Sequence, residues 1–145
     1  MSFFKKKIDI KLFNEKLIGG PDKLLGVKLL EYSDEERFMR GAFTVTKDTV
    51  QPYGLLHGGV SCLVAESMAS IAGDCSVDEG HTIVGQSLTA NHIRSGAIGD
   101  VIIATAYNVH MGRRSQVWNV ELIREKDEKL VSQVTLTLSV ISKGV

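Results

Sequence analysis

The spacing of apolar residues along this chain changes character twice. From Phe38 to Thr46 apolar and polar positions alternate, with Phe43 and Val45 on one face, which predicts a strand. From Leu55 to Gly73 the run LLHGGVSCLVAESMASIAG is apolar or small almost throughout and of helical length. A helix that is apolar all round is a buried helix, so a buried central helix is expected there. From Thr82 nearly to the end the strand pattern returns. The final strand sets Val134, Leu136, Leu138 and Val140 against Thr135, Thr137 and Ser139, so one of its faces is wet or lies at an interface.

The punctuation between these segments gives the rest. Asp9 is placed to cap a short helix carrying Leu12, Phe13 and Leu17; Gly19 and Gly20 end it, and Pro21 is expected to prevent a restart. This leaves residues 1–23 as a peripheral N-terminal segment. Leu24 to Tyr32 reads as extended, and the charged turn Ser33–Glu36 joins it to Phe38–Thr46 as a hairpin. Lys47 to Gly54 is a loop in which Pro52 pushes Gln51 away from helical backbone. After Gly73 the segment DCSVDEG reads as a second loop. Gly96–Asp100, Met111–Arg113 and Glu125–Lys129 are the later turns. These last turns are too short for crossover helices, so the final three strands form a meander. One long buried helix with five or six mostly antiparallel strands is an α+β arrangement, a curved sheet wrapped around the helix, and residues 1–145 carry no repeat or linker that would divide them.

Composition narrows the function. Lys plus Arg and Asp plus Glu each number 17, which leaves no global field to recruit nucleic acid or an anionic membrane. No apolar run is long enough to span a bilayer, and the N-terminus MSFFKKKIDI has no signal-peptide core. Lys5, Lys6 and Lys7 read as a solvated leading edge. Cys62 and Cys75 form neither a CxxC pair nor a disulfide framework, so a reducing, cytoplasmic setting with buried thiols is expected. The four histidines lack metal-ligand spacing, so no metal site is expected.

Candidate chemistry centres on Glu66, the lone carboxylate of the apolar run. An ionised carboxylate in such a place needs specific compensation. One source is an ion pair with Arg94, Arg113 or Arg114; the other is a catalytic role. Ser70 lies four residues on, hence on the same face, where its hydroxyl either orients a water or the carboxylate, or simply packs. His57, Gly58 and Gly59 stand at the start of the helix, where unsatisfied backbone N–H groups and the positive end of the dipole suit an oxyanion. The alternative is that the two glycines only make a tight helix start. Gly58 and Glu66 are eight residues apart, roughly 12 Å along a helix at about 1.5 Å per residue, too far to act on one carbonyl within one chain. Two antiparallel copies across a two-fold axis would bring them together, so a homodimer with composite sites is expected.

The stretches QPYGLLHGGVSCLVAESMASIAG, VGQSLTANHIRSG and GRRSQVW resemble the hotdog-fold acyl-CoA thioesterases of the PaaI-like group, in particular the branch of the Arthrobacter-type 4-hydroxybenzoyl-CoA thioesterases and the bacterial 1,4-dihydroxy-2-naphthoyl-CoA hydrolases. The resemblance covers about Gly26 to Val140. It implies a hotdog fold assembled as a dimer or dimer of dimers, and hydrolysis of a thioester of coenzyme A in which CoA is part of the substrate and no separate cofactor is used. It implies Glu66 as nucleophile or general base, Gly58 as oxyanion donor, Gln51 and His57 as groups that polarise or orient the thioester, and Ser70 as a hydroxyl that positions water or Glu66. It also implies contacts from His92, Arg94, Ser95, Arg113 and Arg114 to the CoA moiety. The chain departs from the pattern at Gln86 and Ser87, where relatives commonly show an apolar and then an acidic residue, and at Tyr53, where Phe is usual; both bear on the acyl group. Two rivals stay open at this point: a hotdog dehydratase and a non-catalytic acyl-CoA-binding protein.

Overall fold

The computed structural model of the protein describes residues 1–144. A helical turn α1 (Ile10–Leu12) runs straight into a π-helical turn (Phe13–Leu17), followed by α2 (Gly20–Leu25), β1 (Lys28–Ser33), β2 (Phe38–Thr44), the long helix α3 (Gly58–Cys75), β3 (His81–His92), β4 (Val101–Met111), β5 (Ser115–Arg124) and β6 (Lys129–Ser142). The six strands form one antiparallel sheet in the order β1-β2-β4-β5-β6-β3. A sheet of this order curled around one helix is the hotdog architecture, and the expected hairpin and closing meander are both in place. No helix among the described residues is long and apolar enough to cross a membrane.

The alternating positions fall where the periodicity puts them. Trp118, Val120 and Leu122 of β5 and Val134, Leu136 and Leu138 of β6 point at the helix and are buried, while Thr135 and Thr137 face outward, half-buried. From α3 the sheet receives Ser61, Val64, Ala65, Met68, Ala69 and Ala72, the i, i+3, i+4, i+7 stripe of a helix lying on a concave surface. Each large apolar side chain fully buried in this way contributes about 1.5–3 kcal/mol. Among the described residues the helix is not buried all round, however. Leu63, Glu66, Ser67 and Ser70 are only half-buried, because the sheet of one chain curls around one side of α3. Two residues expected in the following loop, Asp74 and Cys75, continue the helix, and Ser76 ends it with its hydroxyl donating to the Gly73 carbonyl at 2.7 Å.

The N-terminal segment departs most from expectation. Pro21 does not prevent a restart; it stands in the first turn of α2, where its missing N–H is one of those left unpaired at any helix start. Leu24 and Leu25 are therefore helical, not extended, and α2 closes on Gly26 in the left-handed conformation (φ 72°), whose N–H reaches the carbonyls of Asp22 and Lys23. Nor is the leading edge simply solvated. Phe4 enters the core, Phe3 packs edge-on against Trp118, and the N–H groups of Lys5 and Lys6 both reach the Cys75 carbonyl. The Lys6 ammonium, with a side chain only 10% exposed, donates to Asp74 at 2.9 Å and to the His81 carbonyl at 3.0 Å. These contacts close the C-terminal end of α3, where a cation is also favoured by the helix dipole.

Candidate functional site

The loop before α3 is folded back on itself. Val50 bridges Leu56, the Gln51 N–H reaches the Leu55 carbonyl, and the His57 N–H reaches that of Thr49, so Gln51 and His57 lie on the two paired arms of one loop that leads into the helix. His57 is the N-cap: its Nδ1 accepts the Gly59 N–H at 2.9 Å. An accepting Nδ1 puts the ring proton on Nε2, so the imidazole offers a donor outward. The Gln51 side-chain oxygen accepts the Tyr53 N–H, which leaves the amide nitrogen as a second donor. The Gly58 N–H has no hydrogen-bond partner among the described residues. The His57 imidazole and the Gly58 N–H stand together at the positive end of the helix, with Gln51 on the loop that leads into it, groups of a kind suited to polarising a carbonyl oxygen and holding the negative charge that develops on it.

Glu66 lies two turns along. The ion pair with Arg94, Arg113 or Arg114 does not form: none of the salt bridges among the described residues includes Glu66. Its carboxylate instead rests on Gly85 of β3, so close that a Cβ at that position would stand 2.2 Å from Oε1. Gly85 adjoins a register irregularity between Gly85 and Ser87, where β3 slips past β6. The bulge and the absent side chain together make the seat for the carboxylate. Gly85 was not singled out by its place in the strand pattern, and the adjoining Gln86, whose side-chain oxygen accepts the Ser139 hydroxyl at 2.8 Å, is the residue extra to the pairing. Ser70, on the same face of α3 as Glu66, is half-buried. One turn before Glu66, burial and then the charge of Glu66 push the Cys62 thiol up from its ordinary range.

The residues expected to contact CoA fall into two groups at opposite ends of the sheet. His92 pairs with Ser132 on β6, while Arg114 accepts the Val140 N–H through its carbonyl; the eight residue steps from Ser132 to Val140 span roughly 26 Å at about 3.3 Å each. His92 lies against the start of α3, its Nε2 2.7 Å from where a Cβ on Gly58 would be, and its Nδ1 is 2.8 Å from the hydroxyl of the buried Ser132. The absence of a side chain at Gly58 thus lets the His92 ring approach the helix start closely. Ser132 had no signal in the sequence beyond its place in the last strand. The Arg94 guanidinium donates to the Leu130 carbonyl, and the Ser95 carbonyl accepts from Arg124 at 2.6 Å. Arg113 and Arg114 stand exposed in the β4–β5 turn beside the far end of α3. Within one chain the two groups do not meet, and neither do Glu66 and Gly58.

Comparison with known proteins bears on this geometry. The family described as the thioesterase superfamily matches residues 53–131. A 1,4-dihydroxy-2-naphthoyl-CoA hydrolase of Escherichia coli is 33% identical over 138 residues, covering 95% of this chain and 98% of that protein. A 1,4-dihydroxy-2-naphthoyl-CoA thioesterase of Arabidopsis thaliana is 35% identical over 131 residues, covering 84% of this chain and 81% of its own. Among solved structures, a thioesterase from Haemophilus influenzae superimposes with a TM-score of 0.91 at 33% identity, covering 99% of this chain and 97% of that one.

Proposed function

The chain belongs to the thioesterase superfamily and is a thioester hydrolase, and we propose that it cleaves aromatic acyl-CoA to the free acid and CoA with Glu66 as its catalytic carboxylate. The observation that carries this reading is the unpaired Glu66 carboxylate seated on Gly85 beside an open sheet edge. β3 is twelve residues long and, among the described residues, has no neighbour on its outer side, and Val84 and Leu88 are exposed on it. Such an edge invites pairing with another strand. Two copies joined antiparallel along β3 would continue the sheet and set their α3 helices antiparallel, the start of one facing the middle of the other. The same operation carries the partner's β4–β5 turn, with Arg113 and Arg114, to the end of the joined sheet where His92 and Arg94 of the first chain stand. Guanidinium groups match phosphate oxygens in geometry and charge.

In the composite site the thioester oxygen meets the Gly58 N–H, with the His57 and Gln51 donors beside it. The ionised Glu66 of the other copy either takes a proton from water as that water adds to the carbonyl carbon, or adds to the carbon itself. In both routes the carbon–sulfur bond breaks, the thiolate of CoA leaves and is protonated, and water supplies the oxygen of the free acid. Ser70 holds the water or the carboxylate in line. An oxyanion donor of this kind is worth on the order of 10²-fold in rate. The aromatic acyl group is supported by the relatives from Escherichia coli and Arabidopsis thaliana, both named for a hydroxylated naphthoyl-CoA. We place the reaction in the cytoplasm, which suits two free cysteines.

The test is thiol release from benzoyl-CoA and 2-naphthoyl-CoA. Glu66→Gln keeps the size of the side chain and removes the base, so kcat is expected to fall at least 10²-fold with folding and assembly intact; undiminished turnover would reject the assignment. Hydration of an enoyl-CoA without thiol release would indicate a dehydratase instead.

A further inference from the structure

The element that the sequence pattern did not predict forms one wall of a groove. Leu24 and Leu25 of α2 stand on one side, Val60 and Leu63 of α3 on the other, and His57 and Gly59 close one end around about 360 Å³. That end is the start of α3, where the His57 imidazole caps the helix. The opposite walls are apolar, so the groove runs from a polar head to a hydrocarbon body. Asp48 and Thr49 lie along it, and neither Lys nor Arg lines it among the described residues. A phosphate-bearing segment finds no counter-charge there, whereas an uncharged apolar group attached to a carbonyl fits both ends.

Leu24 is 88% exposed, and no residue of α2 is buried in the core. Gly26 caps it, Val27 is buried directly after it, and the Asp22 carboxylate sits beside the Ser67 hydroxyl of α3 with Oδ1 out of water and unpartnered. This short helix presents an exposed leucine over a groove that begins at the start of α3.

We propose that this groove is the acyl subsite and that Leu24 is a specificity-determining residue selecting apolar acyl groups by their bulk. The proposal rests on the thioesterase reading of the site. It is tested by measuring kcat/KM for acetyl-CoA, hexanoyl-CoA, benzoyl-CoA and 2-naphthoyl-CoA with the wild type, Leu24→Ala and Leu24→Asp, with sedimentation velocity on each protein. The ratio of kcat/KM for the bulky substrates to that for acetyl-CoA is expected to fall about 10-fold in Leu24→Ala, the scale of discrimination by a few methylenes, and further in Leu24→Asp. Equal losses on all four substrates, or unchanged ratios, would overturn it. So would an altered sedimentation coefficient with unchanged ratios, which would make the groove a contact between copies. A wild type that releases thiol from none of the four refutes the parent reading, a failure distinct from any of these.

Discussion

At the scale of single residues, the pairing of Glu66 with Gly85 gives the most direct test of the site. A methyl group at position 85 would stand 2.2 Å from a carboxylate oxygen, and the carboxylate, at the end of a flexible side chain, can move away while the strand cannot. Gly85→Ala is therefore expected to lower kcat more than 10-fold while leaving the melting temperature within a few degrees of wild type, measured by thiol release and thermal unfolding. Glu66 was legible in the sequence because a charge in an apolar run contradicts its surroundings. Gly85 and Ser132 were not, since a small residue in a strand carries no record of the distant side chain it accommodates. His57 illustrates an intermediate case: its position before the helix was visible, but its capping bond to the Gly59 N–H, which fixes the tautomer, appears only in three dimensions.

At the scale of elements, the strands and α3 followed from periodicity, because burial on one face imposes a spacing that tertiary structure then obeys. The failures came where local and distant forces compete. Pro21 is a stop signal inside a helix and a favourable residue at its start, and the sequence pattern alone does not distinguish the two. Lys6 finds Asp74 sixty-eight positions away, a partner no local pattern reveals. The β5–β6 turn is held by a clip of another kind. Arg124 grips Asp127 with two hydrogen bonds and donates to the Ser95 carbonyl, tying the segment after β3 to the same corner. The guanidinium pulls the Asp127 carboxyl down to about 2. A carboxylate depressed in the folded state stabilises the fold above its ordinary pKa near 4, and that contribution is lost as pH falls toward 2. Asp127→Asn is expected to flatten the decline of stability across this interval, as followed by urea unfolding at a series of pH values.

At the scale of the whole molecule, the exposed β3 edge and the half-buried outer face of α3 belong to one problem. A single chain leaves Glu66 about 12 Å along the helix from the Gly58 donor, and the pairing proposed along the open edge would close this distance. Charges on an edge strand oppose pairing. Val84→Lys combined with Leu88→Lys is expected to shift the protein to monomers in sedimentation and to reduce kcat as severely as Glu66→Gln does, with the fold retained by circular dichroism. Full activity in a demonstrated monomer would show that one chain suffices.

The docking of the first residues against Trp118 has a practical consequence. This is the only tryptophan of the chain, its indole N–H is bound to Gln116 at 2.8 Å, and Phe3 lies against its ring. Its fluorescence emission is thus a built-in optical gauge of whether the amino-terminal residues are seated, so purification tags belong at the carboxyl end.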